Sequence, residues 1–348
     1  MKLLKKLYEI HSKSGHEEKM RLFITRYASK IRGAEVIEDE CGNIYITKGI
    51  SETYPCVVAH LDQVHDIHSE DFRVIMDDEV IMGYSPMNRG FEGIGADDKN
   101  GIWIGLKCLE IFDVMKCVFF VGEEIGCIGS SKCDMDFFYD VRFVVEPDRK
   151  GKGDLINNIS WMQIASEEFL NDIDYELYGY KLTNGLMTDV LELSERSVGV
   201  SCINLSCGYY NPHTDEEFTS VRDLNNALEF VKHIITKCTK VYKHKAEGGW
   251  KRYDYGRYYT FYGLSEPIIP SSSGYMNIDT YIKRLIEEND YEFWPEELWQ
   301  YVESDLSDYI TEQEFIDRAY KYFYEPYAQD EELMYDDTFE NSLFNELK

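Results

Sequence analysis

The chain is poor in positive charge. Its 348 residues carry 36 lysines and arginines against 65 aspartates and glutamates, a formal net charge of −29. Such a surface repels phosphate backbones and anionic lipid headgroups, so we expect neither nucleic acid nor membrane as a partner. No run of 18 apolar residues occurs, and charges interrupt the stretch after Lys2, Lys5 and Lys6, so neither a transmembrane helix nor a signal-peptide core is expected. The nine cysteines are scattered without a C-x-x-C pair, which argues against a disulfide framework or a cysteine zinc cluster. These absences point to a reduced, cytoplasmic protein. What is present is 44% apolar residues, enough for a sizeable core.

Up to residue 244 helical and strand patterns alternate. Met20, Phe23, Ile24, Tyr27 and Ile31 recur at helical spacing, after Ser14-Gly15-His16-Glu17, which reads as a helix cap. Extended runs at Ile44–Thr47, Cys56–Ala59, Cys117–Val121, Arg142–Val145 and Val198–Leu205 read as strands, with a hairpin around Phe72–Tyr84. Asn100–Phe112 and Thr219–Cys238 read as helices. The expected fold is α/β, a mixed, mostly parallel central sheet flanked by helices. Residues 245–275 read as a tyrosine-rich stem and a linker, and residues 276–348 as an acidic module of three short helices.

Five times an apolar or glycine-bearing run ends in potential metal ligands: Val57-Val58-Ala59 in His60-Leu61-Asp62, Gly95-Ala96 in Asp97-Asp98-Lys99, Val121-Gly122 in Glu123-Glu124, Val144-Val145 in Glu146-Pro147-Asp148, and the strand near Leu205 in Pro212-His213-Thr214. Ligands of open α/β sheets bind outside the carboxyl ends of the strands, so these five ends should converge on one crevice. Imidazole and carboxylate suit zinc and similar divalent ions, and two such ions can share a carboxylate and a water. Asp62 can hold the far ring nitrogen of His60. Glu123 and Glu124 can face one site only if the strand gives way to a loop, which Gly122 and Gly126 ease.

The set H-x-D, G-A-D-D-K-x-G, G-E-E-I-G, P-D-R and H-T-x-x-E resembles the co-catalytic di-zinc exopeptidases, which include peptidase T, glutamyl aminopeptidases and bacterial leucyl aminopeptidases, over roughly residues 1–240. The resemblance implies Asp97 as bridging ligand, His60 and Asp148 on one metal, Glu124 and His213 on the other, Glu123 as general base and Asp62 as the residue orienting His60. It also implies a cis Asp97-Asp98 peptide. Two divalent ions are implied, zinc first, with cobalt or manganese as alternatives. Only 37 residues separate His60 from Asp97, enough for a hairpin, and only 65 separate Asp148 from His213, so the chain reads as a catalytic core without the family's inserted lid or assembly domain. Thr188-Asp189 resembles the T-D-A signature of the glutamyl branch.

Each motif alone has a plainer reading. His60 could be a core histidine, Glu123-Glu124 a solvated strand end, and Thr214 with Glu217 a capping box for the following helix. His11, His16, His65, His68, His233 and His244 lack ligand spacing. Taken together the five motifs predict a metal-dependent exopeptidase, an aminopeptidase acting on short peptides through a two-metal bridged water. An N-acyl amino acid deacylase on the same core is the alternative, and a non-catalytic binding protein the second. The last 73 residues hold five basic against 21 acidic residues, a module that could dock a protein partner or a second copy.

Overall fold

The computed structural model describes residues 1–159, 162–185 and 187–246, together with 268–271, 274–277, 282, 315, 316, 318 and 319. The chain divides into two compact units, Met1–Lys251 and Arg252–Lys348. In chain order the first contains α1 (Lys2–Tyr8), α2 (Glu18–Ala28), β1 (Ala34–Glu38), β2 (Ile44–Lys48), β3 (Tyr54–His60), β4 (Arg73–Met76), β5 (Val80–Ser85), β6 (Gly90–Glu92) and α3 (Ala96–Ile111). There follow β7 (Met115–Phe120), α4 (Ile128–Lys132), β8 (Val141–Arg149), β9 (Asp154–Ile159), β10 (Met162–Gln163), α5 (Glu167–Asp172) and β11 (Lys181–Gly185). The unit closes with α6 (Asp189–Glu195), β12 (Cys202–Ser206), β13 (Tyr209–Tyr210), β14 (Phe218–Ser220) and α7 (Val221–Lys237).

A nine-stranded mixed sheet runs in the order β1-β2-β7-β3-β8-β12-β9-β10, with β11 on β9. Its four central strands, β7, β3, β8 and β12, are parallel, and antiparallel strands flank them. The central strands read as continuous apolar runs because helices cover both faces. Their side chains alternate between two cores: Val57, Ala59, Cys117, Phe119, Phe143 and Val145 pack with α3 and α7, whereas Cys56, Val58, Val118, Phe120 and Val144 pack with α6. Burying a leucine- or phenylalanine-sized side chain contributes about 1.5–3 kcal/mol, so this doubly covered centre is the rigid frame on which the strand ends are held. All nine cysteines are free and eight of them are buried.

The span between His60 and Asp97 forms more than a hairpin. Its three strands, β4, β5 and β6, join β13 and β14 in a second, five-stranded sheet, a pairing set by residues more than 120 positions later in the chain. Between Asp148 and His213 the chain supplies β9, β10, β11 and β12 to the main sheet.

In the second unit, Ile268–Ser271 and Gly274–Asn277 form an antiparallel hairpin, so part of the segment read as a linker is paired strand. The expected C-terminal helices lie outside the described residues except at a few positions. Of these, Ile282, Phe315 and Ala319 are helical and buried. Among the described residues no helix is long and apolar enough to cross a membrane.

Candidate metal centre

Because β3, β7 and β8 run parallel, their carboxyl ends open on the same edge of the sheet, and the five segments singled out in the sequence meet there. His60 is the last residue of β3 and is fully buried. Its Nε2 lies 3.0 Å from Asp97 Oδ1 and 3.6 Å from Asp148 Oδ1. His213 approaches from the opposite side, with Nε2 3.5 Å from Asp97 Oδ2 and 3.0 Å from Glu124 Oε2. Asp97 therefore presents one carboxylate oxygen to each histidine. Ligand atoms of His60, Asp97 and Glu124 lie within 4.8 Å of one another, and so do those of His60, Asp98 and Asp148.

Backbone conformation makes this convergence possible. Asp97 and Asp98 depart from helical angles at the start of α3, and the peptide between them is cis. The Asp98 carboxylate folds into the space a Cβ at residue 101 would fill, and the amide of Gly101 donates to its Oδ1 at 2.8 Å. That explains the glycine of the D-D-K-x-G motif. After β7, Gly122 adopts φ +62°, which ends the strand; Glu124 then reaches His213, whereas Oε1 of Glu123 accepts the thiol of Cys127 at 3.6 Å. His213 itself sits at φ +64°, a conformation uncommon for any residue with a side chain.

Asp62 orders this edge. Its backbone carbonyl lies 3.1 Å and its Oδ1 3.3 Å from His60 Nδ1. The same carboxylate accepts the amides of Glu123 at 3.0 Å and Glu124 at 3.2 Å, and the hydroxyl of Ser14 at 2.7 Å. Asn204 in β12 exchanges two hydrogen bonds with the backbone of Asp148, at 3.2 and 3.1 Å. Glu146, the other acid of that strand end, instead turns away and accepts the hydroxyl of Thr188 at 2.5 Å. Asp189 accepts the hydroxyl of Ser130 at 2.5 Å, so Thr188-Asp189 belongs to a buried polar layer beside the site.

Two local expectations give way here. Ser14 does not cap α2, whose first turn follows Glu17; its hydroxyl reaches Asp62, 48 residues on. Glu217 does not close a capping box with Thr214, because β14 follows and α7 is capped by Ser220. Glu217 is buried instead, and its Oε1 accepts the amide of Asp97 at 3.2 Å. Beneath it Lys99 is fully buried, donating to the side chain of Gln63 and, at 2.9 Å, to the carbonyl of Ile94.

The electrostatics are those of an acid surplus. Burial, then the neighbouring Asp148, push Asp98 well above the ordinary carboxylate range. Burial and Asp97 do the same for Asp148, and burial, then Asp148 and Glu124, for Glu123. For His60 burial opposes the cation, but Asp148, Asp62 and Asp97 outweigh it and raise the imidazole. Burial likewise works against His213, yet Asp97 and Glu124 hold it up at about 11. Burial lowers Lys99 to about 7 and, with Asp97, raises Glu217 to about 7. Among the described residues five buried acidic oxygens have no hydrogen-bond partner, Asp98 Oδ2 and Glu124 Oε1 in the cluster itself and Glu146 Oε1, Asp189 Oδ2 and Glu217 Oε2 around it. Buried carboxylates without partners are costly, and divalent cations are the groups that relieve this donor set of imidazole and carboxylate. The residues present thus fit a metal centre.

No protein-family profile matches the chain, and no curated protein matches it. Solved structures do. The aminopeptidase PepT from Bacillus cereus ATCC 10987 aligns at a TM-score of 0.55 and 14% identity, over 68% of this chain and 97% of that one. A tripeptidase from Staphylococcus aureus subsp. aureus Mu50 aligns at 0.55 and 16% identity, over 67% and 96%. A TET aminopeptidase from a marine-sediment Thaumarchaeota archaeon aligns at 0.52 and 15% identity, over 69% and 97%. At these identities the likeness is one of fold: the chain shares the fold of these two aminopeptidases and the tripeptidase.

Proposed function

We propose that the chain is a metal-dependent exopeptidase that hydrolyses the N-terminal bond of short peptides. The observation that carries this reading is Asp97, whose two oxygens each face a histidine while carboxylates from two further segments, Glu124 and Asp148, close around it. In this reading His60, Asp97 and Asp148 hold one divalent ion, zinc in the first place, and Asp97, Glu124 and His213 hold a second. Bound there, the ions supply Lewis-acid polarisation of the scissile carbonyl and of the attacking water. Asp62 keeps Nε2 of His60 turned into the site by engaging Nδ1. Glu123 takes the proton of the attacking water and passes it to the leaving amine nitrogen. Burial raises the Glu123 carboxyl above the ordinary range, the direction expected of a group that both takes up and returns a proton.

Cleavage at the amino end is supported by the chain's plan and charge. The residues between Asp148 and His213 build the sheet, and the field of a protein of net charge −29 favours a cationic N-terminus. One of the similar structures is an aminopeptidase, in keeping with this end.

Glu123→Gln tests the assignment: kcat should fall by about 10²–10⁴-fold, with bound metal kept near two per chain. Retained turnover removes Glu123 from the role. Free peptides should be cleaved in preference to N-acetylated ones, and hydrolysis confined to N-acylated amino acids would favour the deacylase reading instead.

A further inference from the structure

A cavity of about 380 Å³ lies between the segments that carry Asp148 and His213. Lys150, Lys152, Asp154, Ser206, Asn211 and Pro212 are in its wall. Lys150 is two residues beyond Asp148, so their Cα atoms are at most about 7.6 Å apart, and Pro212 directly precedes His213. In a chain so rich in acid, this wall is an exception. Its acidic residue, Asp154, is engaged by Arg149 at 3.4 Å, whereas Lys150 and Lys152 are exposed and form no ion pair among the described residues.

The loop that presents the two lysines is fixed by hydrogen bonds. Ser206 donates to the carbonyl of Lys150 at 2.8 Å and accepts the amide of Asp154 at 3.0 Å. The amide of Gly151 donates to the carbonyl of Tyr209 at 2.7 Å, and that of Gly208 to the carbonyl of Gly151 at 2.8 Å. The backbone that carries the two unpaired lysines is thus fixed before a ligand arrives, and the ordering left for binding is that of the two side chains.

We infer that this cavity is a carboxylate subsite, in which Lys150 and Lys152 receive the carboxylate of a short peptide whose terminal bond lies at the metal centre. The inference rests on the exopeptidase reading and narrows it to substrate class. An extended peptide advances about 3.3–3.6 Å per residue, so a carboxylate one or two residues beyond the cleaved bond lies about 3–7 Å further on, the scale of the Asp148–Lys150 separation. The volume, at the small end of ligand pockets, suits one or two residues.

The test compares tri-alanine with its C-terminal amide, using the full zinc-loaded chain. Wild type should prefer the free acid by about tenfold in kcat/KM, and the preference should shrink as salt is raised. Lys150→Ala with Lys152→Ala should bring the ratio to about twofold or less, and arginine at both positions should restore it. Impaired folding lowers both rates together and leaves the ratio unmoved. Calorimetric binding of the same two peptides to Glu123→Gln supplies a readout without turnover. Binding that favours the acid without hydrolysis by wild type keeps the subsite and sinks the exopeptidase reading. Hydrolysis with a ratio near one does the reverse. Ala-Glu-amide against Ala-Gln-amide tells an acidic side chain from the α-carboxylate: preference in either pair supports a carboxylate subsite, and preference in neither overturns it.

Discussion

The two halves of the centre are built differently. His60 is fully buried and its partner Asp148 nearly so, each tied to the frame: His60 through Asp62, Asp148 through Asn204. His213 is half exposed, on a loop at positive φ, and meets Glu124, whose amide is anchored but whose Oε1 is unpartnered. One half rests on strand ends in the middle of the sheet. The other is completed by a loop between the two short strands of a second sheet. Under the proposed function this difference would divide the labour between a pre-organised half that fixes position and an open half through which substrate and metal would exchange.

The sharpest way to break this comparison is to remove each histidine in turn. In His60→Ala the buried Asp97, Asp98 and Asp148 lose their shared cationic neighbour. Leaving buried acids without a counter-charge costs about 3–5 kcal/mol, so the metal-free variant should lose stability on that scale in urea unfolding. His213→Ala removes a half-exposed partner and should cost about 1 kcal/mol or less. Its metal content should fall from about two to about one per chain, while His60→Ala should bind neither ion well. Equal losses in the two variants would mean that the halves are not distinct.

A smaller effect probes how the buried half is held. Asp62→Asn keeps the shape but weakens the acceptor for the amides of Glu123 and Glu124 and for Ser14. Replacing such an outer partner of a metal ligand usually costs about 10–100-fold in metal affinity or activity. The loss should fall on both ions, because Asp62 touches His60 of one half and the amide of Glu124 of the other. A metal titration in which only one site weakens would confine its role to His60.

Much of this frame was legible in the chain itself. Runs such as Val57-Val58-Ala59 and Val118–Val121 read as central strands because both faces are covered, and their ends pointed to the residues that meet in the crevice. The failures share a cause. Ser14 and Glu217 sit in patterns that locally describe helix caps, and only partners 48 and 120 residues away draw them into the site. Asn204 reads as one more strand residue until β12 is laid beside β8. The second sheet was hidden for the same reason, since β14 and β5 are short and pair across the whole bridging segment. Local pattern carries element type and strand ends. It does not carry the long-range polar contacts that hold a site rigid.

The smallest effect concerns the ground behind the open half. His65 Nε2 lies 3.1 Å from the carbonyl of Thr214, next to His213, and His68 stacks on Phe72 at 3.8 Å with its Nε2 2.9 Å from the carbonyl of Gly93. Burial, then Lys99 and His11, depress His68 to about 3, and burial lowers His65 and His11 as well. In the unfolded chain a histidine takes up its proton near pH 6.5, whereas folded His68 refuses it until about pH 3. The unfolded state therefore binds more protons in this window, and stability must fall as pH drops from about 6.5 towards 3. His68→Phe keeps the stacking on Phe72 and removes the titration. Its unfolding free energy should change less steeply with pH, by about one proton fewer taken up on unfolding between pH 6 and 4. An unchanged slope would show that His68 is protonated in the folded chain, and the loop carrying His213 would then have to tolerate a charge behind it.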